Sequence, residues 1–149
     1  MTISVENVKE VVKQMTEMQK KIETNIGKGL AKCCQLVQVT AQKSMTNTEI
    51  NTAVTYYNTN KNIGHHPSVA GNPPAVDTGT LRRSITYDVN ELKKEARVGS
   101  VLNTPPYGAY LEFRTSRMGA RPWLKPATKA TEKTCHEIMS KCVKEGIKK

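Results

Sequence analysis

The chain of 149 residues has the length of one ordinary domain, and 23 lysines and arginines against 13 acidic residues give it a net charge of +10. Aromatic residues make up 5% of it, with one Trp and one Phe, so few large side chains can anchor a core. No apolar run approaches the roughly 18 residues that a membrane-spanning helix needs. We expect a modest domain that completes its burial against copies of itself or against partners.

The four cysteines are Cys33, Cys34, Cys135 and Cys142, and they form no C-x₂-C pair. Neither they nor the three histidines have the short ligand spacing of a zinc site. We therefore expect free thiols in a reducing compartment, and neither a metal nor another cofactor.

From about Ser4 to Met45, apolar residues recur every three or four positions, which predicts a long amphipathic helix. At about 1.5 Å per residue it would be roughly 60 Å long, more than a compact domain of this size needs. Gly27 and Gly29 each weaken a helix by about 1 kcal/mol relative to Ala, so we expect a bend or break there.

The segment 46–76 is rich in Thr and Asn, contains the stretch HHPSVAGNPP, and offers only Ala53–Tyr57 as a short strand. Structureless stretches longer than about 15 residues are usually functional arms or disordered segments. Two interpretations remain open: an extended arm that becomes ordered against a neighbour, and a surface loop.

Alternation of apolar and polar residues over 85–89 and 95–99 predicts two strands, joined in a hairpin by the polar turn NELKK. The apolar patches YGAYLEF (107–113) and ARPWL (120–124) add a third and a fourth strand to a small antiparallel sheet. Trp123 is expected to anchor the core, because large aromatic side chains bury the most surface per residue.

A second helix is predicted from about Pro126 to Ile147, with a buried face formed by Ala127, Ala130, Cys135, Ile138, Cys142 and Val143. Lysines line its other face. Residues 114–149 carry ten basic and three acidic side chains, so this part holds +7 of the net charge. Either a solvated helix face or a surface for nucleic acid or an acidic partner fits this charge.

Together these elements predict an α+β fold: a long N-terminal helix, a small antiparallel sheet of three to four strands, and a C-terminal helix packed on the sheet. We expect a single domain over 1–149. It consists of a long helix (1–45), an extended arm or loop (46–76), a sheet (77–125) and a C-terminal helix (126–149).

The tripeptide DTG at 77–79 is the one that carries the catalytic aspartate of retroviral-type aspartic proteases. That chemistry needs a second carboxylate that shares a proton with the first. Here two prolines precede the tripeptide, and proline removes the hydrogen-bond donors that a central strand would use. We expect instead that Asp77 or Thr78 caps one helical turn over 79–83 that leads into the first strand. No catalytic residue is predicted, and the chain is not expected to be an enzyme.

Four blocks follow one another along the chain: GNPPAVDTGTLRRSI (71–85), VGS (98–100), PYGAYLEFRTS (106–116) and ARPWLKPA (120–127). With a long helix before them and a shorter helix after, they resemble the head–tail joining proteins of long-tailed bacteriophages. This is the neck or tail-completion family typified by the gene-ten product of lambdoid phages. Arg114 departs from the family, which commonly has Gly at that turn, and the blocks do not cover the Thr/Asn-rich segment before Gly71.

The resemblance implies a structural virion protein without catalysis. It would form a homo-oligomeric ring at the neck, where the DNA-filled head meets the tail, with other neck, connector and tail proteins as partners. It would be made in the host cytoplasm and located in the virion. The motif and structural residues that the resemblance singles out are Asp77, Thr78, Gly79, Leu81, Arg82, Ser84, Tyr110, Glu112, Pro122, Trp123 and Pro126.

Basic residues near the C-terminus are the candidates for intersubunit or neck contacts, or for a nonspecific contact with DNA in the channel. The alternative function is sequence-independent nucleic-acid binding, although the chain has few aromatic residues to stack bases and no helix-turn-helix or zinc-finger signature. The candidate interface or DNA-facing residues are Arg114, Arg117, Arg121, Lys129, Lys133 and Lys141.

Overall fold

The computed structural model describes residues 5–58, 63–102 and 106–147, and Ser4, the expected start of the first helix, lies outside them. Two antiparallel strand pairs form, β1 with β2 and β3 with β4. In chain order the elements are α1 (Val5–Thr46), β1 (Tyr56–Asn58), β2 (Ile63–His65), α2 (Thr80–Ser84), β3 (Ile85–Asn90), β4 (Glu95–Ser100), α3 (Tyr107–Phe113) and α4 (Leu124–Ile147).

The predicted α+β class is confirmed, with a long N-terminal helix, a small antiparallel sheet and a C-terminal helix, but the sheet has fewer strands than expected. The predicted third and fourth strands are wrong, because residues 107–113 form α3 and Leu124 already begins α4. Gly108 and Leu111 are the buried residues of α3, and a spacing of three places them on one helix face. A short apolar run alone does not distinguish a strand from a helix.

The predicted hairpin is present as β3 and β4, with a register that runs from Ile85 opposite Ser100 to Asn90 opposite Glu95. Residues 91–94 make the turn. The hairpin packs on α1, and Ile85, 1% exposed, is its main contribution to the core. The sheet is therefore supported by the long helix that precedes it in sequence.

Helices α1 and α4 pack side by side in antiparallel directions. The Sγ of Cys33 lies 3.6 Å from the backbone oxygen of Cys135, and Ala41 shares a core cluster with Ala127 at the start of α4. The other end of α4 reaches Ile22, which lies against Gly146. These contacts make α4 the principal packing partner of α1.

A bend or break of α1 was expected at Gly27 and Gly29. The helix is not broken there, because it continues through both residues. Both glycines are buried. A Cβ on Gly29 would lie 2.8 Å from the Sδ of Met139, and a Cβ on Gly146 would lie 2.9 Å from the backbone Cα of Ile22. The missing side chains at Gly29 and Gly146 thus allow the two helices to approach closely.

One small hydrophobic cluster joins α1, β3, α3 and α4. On α4, Thr131 is buried where Ala130 was expected, and Ala130 is exposed. The Thr131 hydroxyl donates to the backbone oxygen of Ala127 at 2.9 Å, which satisfies the buried polar group. The cluster consists of Val37, Ala41, Met45, Ile85, Leu111, Trp123 and Ala127.

The four cysteines are free thiols, as predicted, and they lie on α1 and α4. Burial, together with the neighbouring Cys135, raises the pKa of Cys33 to about 12, and burial also raises the pKa of Cys34. Because the thiolate is the reactive form, these two residues stay protonated and inert at neutral pH. They act as small apolar side chains in the helix interface.

The segment 46–76 is attached to the rest of the protein at its base. Ile50 and Ser68 form an antiparallel bridge, and the Thr48 hydroxyl donates to the backbone oxygen of Pro73 at 2.7 Å. The Arg121 Nε donates to the backbone oxygen of Ser68 at 3.2 Å, which ties this base to the loop before α4. This segment contains two short strands, Tyr56–Asn58 and Ile63–His65, where one was expected at Ala53–Tyr57.

The first half of α1 extends beyond the end of α4. In the described part of this half, from Asn7 to Lys21, every residue is exposed except Met18, which is half-buried. Apolar side chains are exposed here by 49–65%: Val8, Val11, Val12 and Met15. Other parts of the chain thus pack against the second half of α1 and leave its first half exposed.

Candidate functional site

The four sequence blocks that carry the family resemblance come together beside the second half of α1. We call them the motif cluster: residues 71–85, 98–100, 106–116 and 120–127. Its contacts are mainly hydrogen bonds between one block and the backbone of another. The site therefore connects helices and strands to one another more than it forms a cleft that would bind a substrate.

Glu112 connects the third block to the fourth by capping α4. Its Oε2 accepts hydrogen bonds from the backbone N–H groups of Trp123, at 2.8 Å, and Leu124, at 3.0 Å. Its Oε1 accepts a third from Lys125 at 2.9 Å. The first N–H groups of a helix have no partner within the helix, and the helix dipole favours a negative charge there. Glu112 therefore caps the start of α4 and helps to fix the direction of this helix.

Trp123 fills the space between the third block and the core. It is 3% exposed, and its Nε1 donates to the backbone oxygen of Gly108 at 3.0 Å. A Cβ on Gly108 would lie 3.3 Å from both the Trp123 ring and the Ser100 Cβ, so glycine allows α3 to sit close to them. This agrees with the expected role of Trp123 as a core anchor.

The first and second blocks are joined where β3 begins. The hydroxyl of Ser84 lies 2.7 Å from that of Ser100, and it donates to the backbone oxygen of Leu81 at 2.7 Å. Two glutamine side chains of α1 reach the same turn: Gln38 donates to the backbone oxygen of Ile85, and Gln42 to that of Arg82. Arg82 itself donates to the Thr46 hydroxyl at 3.2 Å.

The DTG tripeptide forms the turn that leads into α2, as expected, but the cap is different. The sequence predicted a cap by Asp77 or Thr78. Gly79 takes the N-cap position instead, with φ 75°, and no side-chain cap bond forms there. The Thr78 hydroxyl makes a long contact of 3.4 Å with the N–H of Thr80. A φ of 75° strongly favours glycine. The backbone conformation of the turn therefore explains why residue 79 is glycine, and no catalytic role is needed.

The surroundings of Asp77 differ from those of a protease aspartate. Its side chain is 61% exposed, and its Oδ1 lies 3.9 Å from the Nδ1 of His65. The turn borders a cavity of about 390 Å³, and Asp77 is the one carboxylate among the described residues that line it. Acid–base chemistry of the aspartic protease type needs two carboxylates that share a proton.

Arg114, which stands where the family commonly has Gly, adopts φ 70° and ψ 168° directly after α3. Glycine occupies this region almost exclusively, and for other residues it costs about 1–3 kcal/mol. The backbone therefore adopts a conformation that glycine favours, although the residue is an arginine. The Arg114 side chain is exposed.

The candidate basic residues are distributed over two regions of the protein. Arg117 is exposed in the loop after α3, whereas Arg121 is half-buried and hydrogen-bonded to the base of the segment 46–76. Lys129, Lys133 and Lys141 are exposed on α4. The structure thus gives Arg121 a contact within the chain and leaves the lysines on the surface.

Several residues in or beside the motif cluster were not singled out from the sequence. Gly108, Ser100, Gln38 and Gln42 make contacts that hold the blocks together. The glutamines gave no signal, because a polar residue on a helix is usually solvated. Gly108 stands inside an apolar run, where a packing role cannot be distinguished from a turn by composition alone.

Within residues 5–58, 63–102 and 106–147, no group of three or more His, Cys, Asp or Glu side chains is placed to hold a metal ion. Among the helices of these same residues, none has the length and apolar character needed to cross a bilayer.

Comparison with known proteins agrees with the motif cluster. A family model described as "Bacteriophage HK97-gp10, putative tail-component" matches residues 9–113, which include most of α1, the β3–β4 hairpin and α3 but not the fourth block. No curated protein and no solved structure gives a significant match. The match covers more than two thirds of the chain, which therefore belongs to the HK97-gp10-like family. It is a bacteriophage tail-related structural protein, and the resemblance inferred from the four blocks is confirmed.

Replacing Glu112 by Gln tests the cap on α4. Gln has one acceptor oxygen and no charge, so at least one N–H of the first turn loses its partner, and we expect the free energy of unfolding to fall by about 1–3 kcal/mol. Urea denaturation measures this. Glu132→Gln, on the exposed surface of α4, is the matched control and should change it by less than about 0.5 kcal/mol. Equal effects of the two substitutions would contradict the capping role.

Replacing Arg114 by Gly tests the left-handed turn. Glycine removes the backbone strain at φ 70°, so we expect a gain in the free energy of unfolding of about 1 kcal/mol, after the greater entropy of the unfolded glycine chain is subtracted. Arg117→Gly, which removes the same charge where φ is not positive, should lower stability slightly or leave it unchanged. A destabilised Arg114→Gly variant would argue against this backbone geometry.

Proposed function

We propose that this protein is a structural subunit of the phage neck and forms a homo-oligomeric ring that joins the head to the tail or completes that connection. The family supports a tail-related structural role. The observation that carries the finer proposal is the first half of α1, whose apolar side chains Val8, Val11, Val12 and Met15 are 49–65% exposed. A helix with such a face is expected to bury it against another chain.

The motif cluster supports a role without catalysis. Its polar side chains are used to join elements: Glu112 caps α4, Ser84 bonds to Ser100, and Trp123 bonds to Gly108. The exposed Asp77 has the position of a turn residue. We infer that the motif provides the rigidity needed to present the surrounding surfaces in a fixed arrangement.

The proposed neighbours are copies of the same chain and other neck, connector and tail proteins. The segment 46–76 is held at its base, by the bridge between Ile50 and Ser68, so its β1–β2 hairpin is presented from a fixed point. We propose that this segment and the loop with Arg114 and Arg117 supply contacts to those neighbours.

Purified phage particles and purified protein test this function together. We expect the chain to be present in particles at several copies each by quantitative mass spectrometry, and the isolated protein to form discrete ring-shaped multimers in electron micrographs. Identical subunits with a head-to-tail contact close into rings when the rotation between them permits. Absence of the chain from purified particles would overturn the proposed function.

A sequence-independent contact with DNA is a second candidate role, and the exposed lysines of α4 favour it. Lys129 and Lys133 are one helical turn apart, and Lys141 is exposed further along the same helix. Lysines that neutralise phosphates release counterions, so the affinity of such a contact falls steeply with salt.

Binding of a labelled DNA duplex at two salt concentrations tests this role. Replacing Lys129, Lys133 and Lys141 together by Gln should weaken binding and reduce the slope of log affinity against log salt by about 1 for each lysine that had neutralised a phosphate. The same replacement of Lys9, Lys13 and Lys20 on α1 removes the same charge and should leave the slope near that of the wild type. Binding that is undetectable at low salt, or equal weakening in both variants, would exclude a DNA contact through α4.

A further inference from the structure

The uncovered half of α1 carries a continuous apolar surface, which we call the α1 stripe: Val8, Val11, Val12 and Met15. These positions recur at intervals of three and four, so they share one side of the helix. Uncharged Asn7, Thr16 and Gln19 border this side. Lys13 and Lys20 lie on the other side of the helix. An uncharged border around an apolar centre is the usual anatomy of a protein interface.

A second uncovered surface lies on α3, which we call the α3 face: Tyr107, Tyr110 and Phe113. These side chains are 48%, 44% and 75% exposed, and their spacing of three places them in one row along the helix. The chain has five Tyr, one Trp and one Phe, so three of its few aromatic residues are on this exposed face. Aromatic side chains are enriched at the centres of interfaces.

The two surfaces lie far apart on the same chain. Leu111 of α3 shares the core cluster with Val37 and Ala41 of α1. Thirty residues separate Val11 from Ala41 along one continuous helix, which is roughly 45 Å. The α1 stripe therefore cannot reach the α3 face of its own chain, and a second copy is needed to bring the two surfaces into contact.

We propose that the α1 stripe of one copy docks onto the α3 face of the next copy in the ring. The inference rests on the homo-oligomer proposed above and names the two surfaces that build it. Because the surfaces differ, the contact is head-to-tail, and each copy uses its stripe toward one neighbour and its α3 face toward the other. Repetition of such a contact generates a closed ring or a filament.

The dimensions and chemistry of the two surfaces correspond. The stripe from Val8 to Met15 and the face from Tyr107 to Phe113 each extend about 10 Å along their helices. Methionine sulfur makes favourable contacts with aromatic rings, so Met15 suits an aromatic partner surface.

The area that the α1 stripe and the α3 face can bury is small for a stable interface between two copies alone. The exposed parts of the seven side chains sum to roughly 700 Å², which with a polar rim corresponds to an interface of about 1,200 Å², at the lower end for specific contacts. Each copy makes two such contacts in a ring, and a closed ring is held together by all of them at once. We therefore expect weak pairs and stable closed assemblies.

Two variants that each disable one surface test the proposal. Variant S carries Val11→Glu and Met15→Glu on the stripe, and variant F carries Tyr110→Glu and Phe113→Glu on the α3 face. Sedimentation velocity of the full chain should show each variant alone as a monomer, with self-association weakened at least 100-fold. An equimolar mixture, at a concentration high enough to populate a single weak contact, should form a 1:1 dimer and nothing larger, because the stripe of F and the face of S are the one intact pair.

Controls separate a surface effect from a folding or charge effect. Lys13→Glu, on the charged side of α1, changes the net charge by the same amount as variant S, and Leu92→Glu replaces an exposed apolar residue, 95% exposed, in the β3–β4 turn. Both should assemble like the wild type. Far-UV circular dichroism monitors folding, and if variant F does not fold, Phe113→Glu alone replaces it.

Each other result overturns the inference. If F still assembles while S does not, and mixing restores nothing, the stripes pair with each other or bind a different surface. If both variants assemble like the wild type, neither surface is used. A wild type that stays monomeric at millimolar concentration also rejects the contact, and detection of the chain in purified particles would then still support the structural role proposed above.

Discussion

The rest of the structure depends on the close antiparallel packing of α1 and α4. Gly29 and Gly146 allow this approach, since a Cβ at either position would press against the opposite helix. The β3–β4 hairpin also packs on α1, so the long helix is the common support of the sheet and of α4. With one aromatic residue, Trp123, in the hydrophobic core cluster, the protein depends on this backbone proximity more than on large side chains.

The motif cluster determines how the other elements are placed on that support. Glu112 caps α4 by accepting hydrogen bonds from the N–H groups of Trp123, just before the helix, and of Leu124 and Lys125, its first two residues. Trp123 attaches α3 to the same place through the backbone of Gly108. The bond from Trp123 to Gly108 is buried, and breaking it would leave an unsatisfied polar group, which is costly. A rigid joint of this type suits a subunit that must present surfaces to several neighbours at fixed angles.

The motif cluster and the uncovered apolar surfaces have complementary roles. The cluster uses the polar side chains that a catalytic site would need, whereas the first half of α1 and the outer side of α3 expose apolar groups that a self-sufficient monomer would bury. This division of roles supports the proposal that the protein is completed by assembly. This is consistent with membership of a family of phage tail components.

The sequence by itself determined the two helices, the β3–β4 hairpin and the family, because periods of 3.6 and 2 and the order of the four blocks are local properties. Tertiary structure decided that residues 107–113 form a helix, since Leu111 and Gly108 are buried against Trp123 and Ser100 from distant parts of the chain. It likewise decided that α1 continues through Gly27 and Gly29 and that Glu112 caps α4. These outcomes depend on residues brought together from far apart, and such proximity leaves no periodic signal in sequence.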